Sequence, residues 1–136
     1  MTNYVAVFNE SFSRVVEGDK QSTFFDHFYR RFLISSPAVA AKFVNTDFDR
    51  QKEMLRRSVT ELLQIFTTHT STPYLQMLAA IHSKADKDIG PALYDDWLRS
   101  LIETLKDLDP NYDDTVALAW KIVLAPGIQF MKHHYE

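Results

Sequence analysis

The sequence predicts an all-α protein, and three of its features support this prediction. Apolar residues recur every three or four positions through six long segments and one short segment, which is the spacing of one face of a helix. No segment alternates apolar and polar residues as a half-buried strand does. Glycine is scarce, with 3 residues, so a sheet built from many tight turns is not expected.

Length and composition limit the possible functions. A chain of 136 residues is predicted to form a single domain, residues 1–136, with a real core. The net charge of −3 gives no reason to expect nucleic acid or an anionic membrane as a partner. The absence of cysteine excludes disulfides, iron–sulfur clusters and cysteine nucleophiles. No segment has the apolar length of a membrane span, and no signal peptide precedes the first helix, so we predict a cytoplasmic protein.

Local signals place the helices. Pro37, Pro73 and Pro91 suit the first turn of a helix, and Gly18 suits the end of the first one. Pro126 falls inside the last helix, where we expect a kink, and the neighbouring Gly127 would allow another group to approach closely. The predicted helices cover residues 3–17, 20–35, 38–43, 47–68, 73–82, 91–108 and a last helix from about 113. The C-terminal boundary of the fifth helix is uncertain, because residues 84–88 fit either a helix or a loop.

Two polar residues stand out on otherwise apolar faces. Tyr29 lies on the aromatic face of the second helix, where its hydroxyl must find a hydrogen-bond partner or reach solvent. Gln51 heads the apolar stripe of the fourth helix, one turn before Leu55, at a position where leucine would be unremarkable. Taken separately, Tyr29 is a half-buried core residue and Gln51 is the exposed end of a stripe.

His82 is the most informative residue of the chain. It follows Leu78 by four residues, so its imidazole lies on the apolar stripe of the short fifth helix. A helical protein presents a metal or haem ligand in this way. A single histidine on an apolar face is nevertheless more often a core residue than a ligand, so the other segments must decide between the two interpretations.

Catalysis without a cofactor finds little support in the sequence. It contains no serine–histidine–aspartate arrangement, no phosphate-binding loop and no HExxH motif. The carboxylate pairs Asp95-Asp96 and Asp113-Asp114 are adjacent in sequence and diverge around a helix, so they suit solvation or the first turn of a helix.

Taken in order, the segments resemble the bacterial single-domain globins and the globin domain of the flavohaemoglobins over nearly the whole chain. The match rests on the order and spacing of several short motifs: Phe28-Tyr29, Ser36-Pro37, Phe43, Gln51-x-x-x-Leu55, His82, Ile89-x-Pro91-x-x-Tyr94 and Ala119-Trp120. The resemblance implies a globin fold around a haem pocket, with haem b as cofactor.

The resemblance also implies roles for individual residues. His82 would be the iron ligand, with its other ring nitrogen held by a carbonyl or hydroxyl of its own helix. Tyr29 and Gln51 would donate hydrogen bonds to a ligand on the opposite side of the haem, and Leu55 would restrict the space there. The remaining residues expected to contact haem are Phe43, which would pack on the porphyrin, Leu78, Ile89 and Tyr94. Arg50, Lys52 and Lys84 are candidates, on charge alone, to pair with the propionates.

The implied function is reversible binding of dioxygen, nitric oxide or carbon monoxide, for storage, delivery or sensing. The alternative is an enzyme, a nitric oxide dioxygenase or a peroxidase-like protein, which would need a separate reductase because the chain lacks the flavin and nicotinamide domains of the flavohaemoglobins. A third possibility is a haem-free helical interaction domain on the same fold.

The sequence departs from the flavohaemoglobin pattern in two places. The loop after His82 is about two residues longer than in that family, and the loop before Gln51 is about two residues shorter. In addition, that family couples a glutamate of the last helix to the tyrosine matched by Tyr94 and to the proximal histidine, which His82 matches. Here only Glu136 falls near the expected position of the glutamate.

Overall fold

A computed structural model describes residues 2–17 and 20–136, without the side chains of residues 20–22. In these residues all regular secondary structure is helical, as predicted, and there is no strand. The described part contains seven helices: α1 Tyr4–Val16, α2 Lys20–Ser35, α3 Pro37–Lys42, α4 Phe48–Thr68, α5 Pro73–His82, α6 Pro91–Leu108 and α7 Asp114–His133. The helix end predicted at Gly18 lies outside the described residues.

Short side chains fix where several helices begin. Asn3 Oδ1 accepts a hydrogen bond of 3.0 Å from the Ala6 amide at the start of α1. Thr72 Oγ1 accepts one of 3.2 Å from the Leu75 amide, with Pro73 in the first turn of α5. The structure also settles where α5 ends. The helix stops at His82, and residues 83–88 form a loop.

Residue contacts divide the chain into two compact units, so the prediction of a single domain stays a prediction. Unit 1 comprises Met1–Val44 and Asp96–Val123. In this unit α1 packs on α2, and α2 packs on α3. The core is strongly aromatic: Phe8 and Trp120 are fully buried, with ring centroids 4.5 Å apart.

A polar cluster lies inside this aromatic core. Asp109 accepts hydrogen bonds from Ser11 Oγ at 2.6 Å and from Arg14 Nε at 2.7 Å. Trp120 Nε1 in turn donates to Ser11 Oγ at 3.0 Å. The Asp109 carboxylate is wholly buried, so the cluster removes a cost that an unpaired buried charge would impose.

Unit 2 comprises Asn45–Asp95 and Leu124–Glu136, and contains the packing of α4 on α5. The last helix continues through Pro126. The close approach predicted at Gly127 is confirmed, because a Cβ atom built there would lie 2.0 Å from Leu62 Cδ2. In the described part of the chain, no helix has the length and apolar character that crossing a membrane requires.

Candidate functional site

His82 is the last residue of α5, and its position follows from the apolar stripe that precedes it. Leu75, Leu78 and Ala79 are buried, and Leu78 lies one turn before the histidine on the same helix face. The imidazole Nδ1 atom lies 3.1 Å from the hydroxyl oxygen of Tyr94, a buried residue in the first turn of α6. Both residues belong to unit 2.

The surroundings of this pair keep both groups neutral. Burial, with a smaller contribution from the positive charge of Lys87, lowers the pKa of the His82 imidazole to about 4. Burial also raises the pKa of the Tyr94 hydroxyl above its usual value. At neutral pH, His82 is therefore an uncharged imidazole with one unprotonated nitrogen, the form in which histidine binds a metal.

The two ring nitrogens of His82 have different partners. Nδ1 contacts Tyr94, whereas Nε2 has no hydrogen-bond partner in the parts of the chain that the structure describes. If Nδ1 carries the proton and donates it to the Tyr94 oxygen, the lone pair of Nε2 is available to a metal. The ring thus has one nitrogen held by the protein and one open to a ligand.

This donor set fits haem better than a free metal ion. Across residues 2–17 and 20–136, no three histidine, cysteine or carboxylate side chains come together as a chelating group. A single neutral imidazole is a weak site for a bare ion, but it is sufficient when a porphyrin fills four other positions of the iron.

The partner of Nδ1 differs from the sequence expectation. That expectation placed a carbonyl or hydroxyl of the same helix beside the second nitrogen, and it is wrong, because the hydroxyl comes from α6. The physical reason is that α5 ends at His82, while the loop that follows returns the chain to α6 and brings Tyr94 beside the ring.

The glutamate that the flavohaemoglobins couple to their tyrosine has no counterpart in the described residues. No carboxylate in them hydrogen-bonds the Tyr94 hydroxyl. Glu136 instead lies 4.0 Å from Lys84 Nζ, and its side chain is 79% exposed. The imidazole of His82 therefore contacts a neutral phenol, and in the described residues no carboxylate hydrogen-bonds that phenol.

Gln51 and Leu55 lie on one face of α4, as their spacing predicts. Gln51 is in the first turn, where its amide donates to the Asp47 carbonyl at 3.0 Å, and its side chain is half-buried. Leu55 is buried, with 5% of its surface exposed. Of the candidate propionate partners, Lys52 lies 3.8 Å from Asp49, while Arg50 is exposed.

Tyr29 and Phe43 lie together in unit 1. Tyr29 is buried, and the ring of Phe28 meets its ring nearly at right angles, with centroids 5.0 Å apart. The ring of Phe43, which follows the last residue of α3, has its centroid 5.9 Å from that of Tyr29. The tyrosine thus lies within an aromatic cluster, as the sequence predicts.

The structure therefore brings the predicted site residues together in three groups. Tyr29 is with Phe43, Gln51 shares a helix face with Leu55, and His82 is with Tyr94. Leu78 belongs to the His82 group, and so does Ile89, whose amide donates to the His82 carbonyl at 3.0 Å. The haem-binding role of each residue stays a prediction.

The contacts that residues 132–135 make around His82 are not predicted by the sequence. The Lys84 amide donates to the Tyr135 carbonyl at 2.7 Å, and Tyr135 Oη donates to the Asp88 carboxylate. These contacts join residues about fifty positions apart, and nothing in the local sequence signals such a pairing.

Comparison with known proteins identifies a close structural relative. A crystal structure of the protein PA3967 from Pseudomonas aeruginosa PAO1 superposes with a TM-score of 0.89, at 37% sequence identity, over 98% of each chain. PA3967 is described as structurally highly homologous to a human hemoglobin. The predicted globin fold is thereby confirmed. No family model matches the sequence, and no curated protein matches it.

Proposed function

This chain belongs to the same family as PA3967 and has the globin fold, and from this premise we propose that it is a haem-binding globin that reversibly binds dioxygen or another diatomic gas. The cofactor would be haem b, whose iron supplies the affinity for such gases. The proposal rests on the state of His82: its imidazole is neutral, its Nδ1 atom lies beside Tyr94, and its Nε2 atom is available to a metal.

The residues of the site would have different roles according to their positions. His82 would hold the iron through Nε2, and Tyr94 would fix the orientation of the imidazole through Nδ1. Phe43, Leu55, Leu78 and Ile89 would supply apolar contact with the cofactor and exclude water. Tyr29 and Gln51 would donate hydrogen bonds on the opposite side, which favours slow release of a polar ligand.

The hydrogen-bond partner of His82 supports gas binding over peroxidase-like chemistry. A carboxylate that accepts the Nδ1 proton makes the imidazole more basic and increases its electron donation to the metal. Tyr94 is a neutral phenol and a weaker acceptor, so the imidazole keeps its neutral character.

The proposal predicts the spectrum of the protein with haem. Addition of haem to the purified chain should give a Soret band that saturates at one haem per chain, and carbon monoxide should shift this band in the reduced protein. If no Soret band survives removal of free haem by gel filtration, the proposed function is wrong.

Nitric oxide dioxygenation is a second candidate function, and the buried Tyr29 favours it, since a tyrosine donor suits a tightly held dioxygen. Rapid mixing of the oxygenated protein with nitric oxide measures the rate. Sustained turnover with an added reductase would indicate the enzyme, whereas a single stoichiometric reaction would indicate a binding protein. Such an enzyme would need a source of electrons, and a separate reductase is the partner that we propose for it.

A further inference from the structure

The segment formed by residues 132–136 lies against the loop that follows His82. The Lys84 amide donates a hydrogen bond of 2.7 Å to the Tyr135 carbonyl. The Tyr135 hydroxyl donates to the Asp88 carboxylate at the other end of the loop, and this bond raises the pKa of the tyrosine. Tyr135 thus holds the 83–88 loop at two points, two and six residues after the histidine.

The 83–88 loop is also closed upon the last turn of α5. The Lys87 amide donates to the Ile81 carbonyl at 3.0 Å, and the Ile89 amide donates to the His82 carbonyl at 3.0 Å. The Asp88 amide donates to the Ser83 carbonyl at 2.9 Å. A displacement of the loop would therefore also displace the backbone of His82.

Asp88 has a backbone conformation that needs support. Its φ of 56° lies in the left-handed region, which is unfavourable for a residue with a side chain, although aspartate tolerates it better than most. The hydrogen bond from Tyr135 offsets part of this cost. Without that bond, we expect residue 88 and its loop to leave this conformation more often.

A second contact from the same segment reaches the residue that follows Tyr94. Lys132 Nζ lies 2.8 Å from Asp95 Oδ1, and Asp95 follows Tyr94 directly in α6. The segment begins in the last turn of α7, and the residue that follows this helix stays on it, because the His134 ring nitrogen Nδ1 lies 2.8 Å from the Phe130 carbonyl oxygen. Contacts from one segment therefore flank both members of the His82–Tyr94 pair.

We propose that Tyr135 is a positioning residue for His82: by holding the 83–88 loop through Lys84 and Asp88, it sets the orientation in which the imidazole meets the metal and Tyr94. This inference rests on the proposed function for the identity of the metal, but the loop contacts can be tested in haem-free protein. The longer loop after His82 is thus held in place by hydrogen bonds with Tyr135.

The test compares Tyr135→Phe with wild type, and uses Tyr4→Phe as the matched control because Tyr4 lies on α1, outside this contact. Three readouts apply: hydrogen exchange of the Lys84 and Asp88 amides in haem-free protein, the iron–histidine stretching frequency of the reduced haem complex, and the rate of haem transfer to a scavenger protein. Asp88→Gly and the double variant complete a cycle, since glycine adopts the left-handed conformation without strain.

Loss of one hydrogen bond should speed exchange of the loop amides about fivefold, the equivalent of about 1 kcal/mol. Tyr135→Phe should also shift the iron–histidine frequency and speed haem transfer. In the Asp88→Gly background, where the acceptor carboxylate is gone, Tyr135→Phe should change neither quantity further. Unchanged amide exchange in Tyr135→Phe would overturn the proposal, as would faster exchange with an unchanged iron–histidine frequency. Failure of wild type to bind haem would instead contradict the proposed function, and the exchange measurement would still test the loop contact.

Discussion

At the scale of the residue, the meaning of His82 depends on what lies beside it. A histidine on an apolar stripe is ordinarily a core residue, and periodicity alone favours that interpretation. Burial lowers its pKa to about 4, and Nδ1 contacts Tyr94 while Nε2 has no partner in the described residues. Those three properties together suit a metal ligand better than a packing residue.

Removing the Tyr94 hydroxyl should weaken haem binding without unfolding the protein. Tyr94→Phe keeps the buried ring but leaves Nδ1 of His82 without its partner. Because loss of such a partner typically costs 10- to 100-fold in metal affinity, we expect haem to dissociate at least about tenfold faster. Haem transfer to a scavenger measures this rate, with Tyr4→Phe as control. A wild-type rate in Tyr94→Phe would show that the hydroxyl does not support the ligand.

The helix face of each site residue could be predicted from sequence, and the resemblance implied a pairing of Tyr94 with His82, but the contacts that close the loop between them could not be predicted. The spacing of Leu78 and His82 places both on one helix face, and that placement is local. The contact of His82 with Tyr94 depends on how the 83–88 loop closes, and that loop is held by Tyr135, about fifty residues further along. The sequence around His82 contains no signal for the contact of this loop with Tyr135.

At the scale of the element, the helices were predictable because their boundaries are written locally. Asn3 and Thr72 accept hydrogen bonds at helix starts, and Pro37 and Pro73 occupy first turns. The end of α5 was open because residues 84–88 have no strong helix breaker. There the outcome depends on contacts between the loop, the last turn of α5 and residue 135.

Gly127 permits α7 to approach Leu62 of α4, so adding a methyl group there should destabilise the fold. In Gly127→Ala, the new Cβ would lie 2.0 Å from Leu62 Cδ2 and 3.2 Å from Leu62 Cγ. Rotation of the leucine about its Cβ–Cγ bond would move Cδ2 but leave Cγ closer than an ordinary contact. We expect the free energy of unfolding to fall by roughly 1–3 kcal/mol, as measured by urea denaturation.

A second substitution makes this prediction specific. In a Leu62→Ala background only the Cβ atom of residue 62, at 3.3 Å, stays close to the new methyl group. Most of the cost of Gly127→Ala should therefore disappear, helped by the better helix propensity of alanine. Gly90→Ala is the control, because nothing lies within 4 Å of a Cβ there. Equal effects of Gly127→Ala in both backgrounds would contradict the steric explanation.

At the scale of the whole molecule, folding stability should depend on the buried carboxylate of unit 1. Burial by itself raises the pKa of Asp109, but hydrogen bonds from Arg14, Ser11 and the Asn111 amide outweigh it and hold the pKa below its usual value. The unfolded chain therefore binds this proton more tightly than the folded protein. The resulting stability is fully present above about pH 4 and is lost as the pH falls through the folded pKa.

Asp109→Asn should accordingly lower the free energy of unfolding by roughly 3 kcal/mol at pH 7, because it breaks a buried ion pair. The difference from wild type should shrink below about pH 4, where the wild-type carboxyl becomes protonated. Urea denaturation at pH 7, 5 and 3 measures it, with the exposed Asp86→Asn as control. A difference that stays constant over this range would rule out the titration of Asp109 as the cause.

If His82 is the protein ligand of a haem iron, as we propose, His82→Ala should not retain haem. After gel filtration, wild type and the exposed-site control His69→Asn should keep a full Soret band, since asparagine also tolerates the left-handed conformation of residue 69. His82→Ala should lose the band, and added imidazole should restore it. Retention of haem by His82→Ala with a wild-type spectrum would contradict the claim.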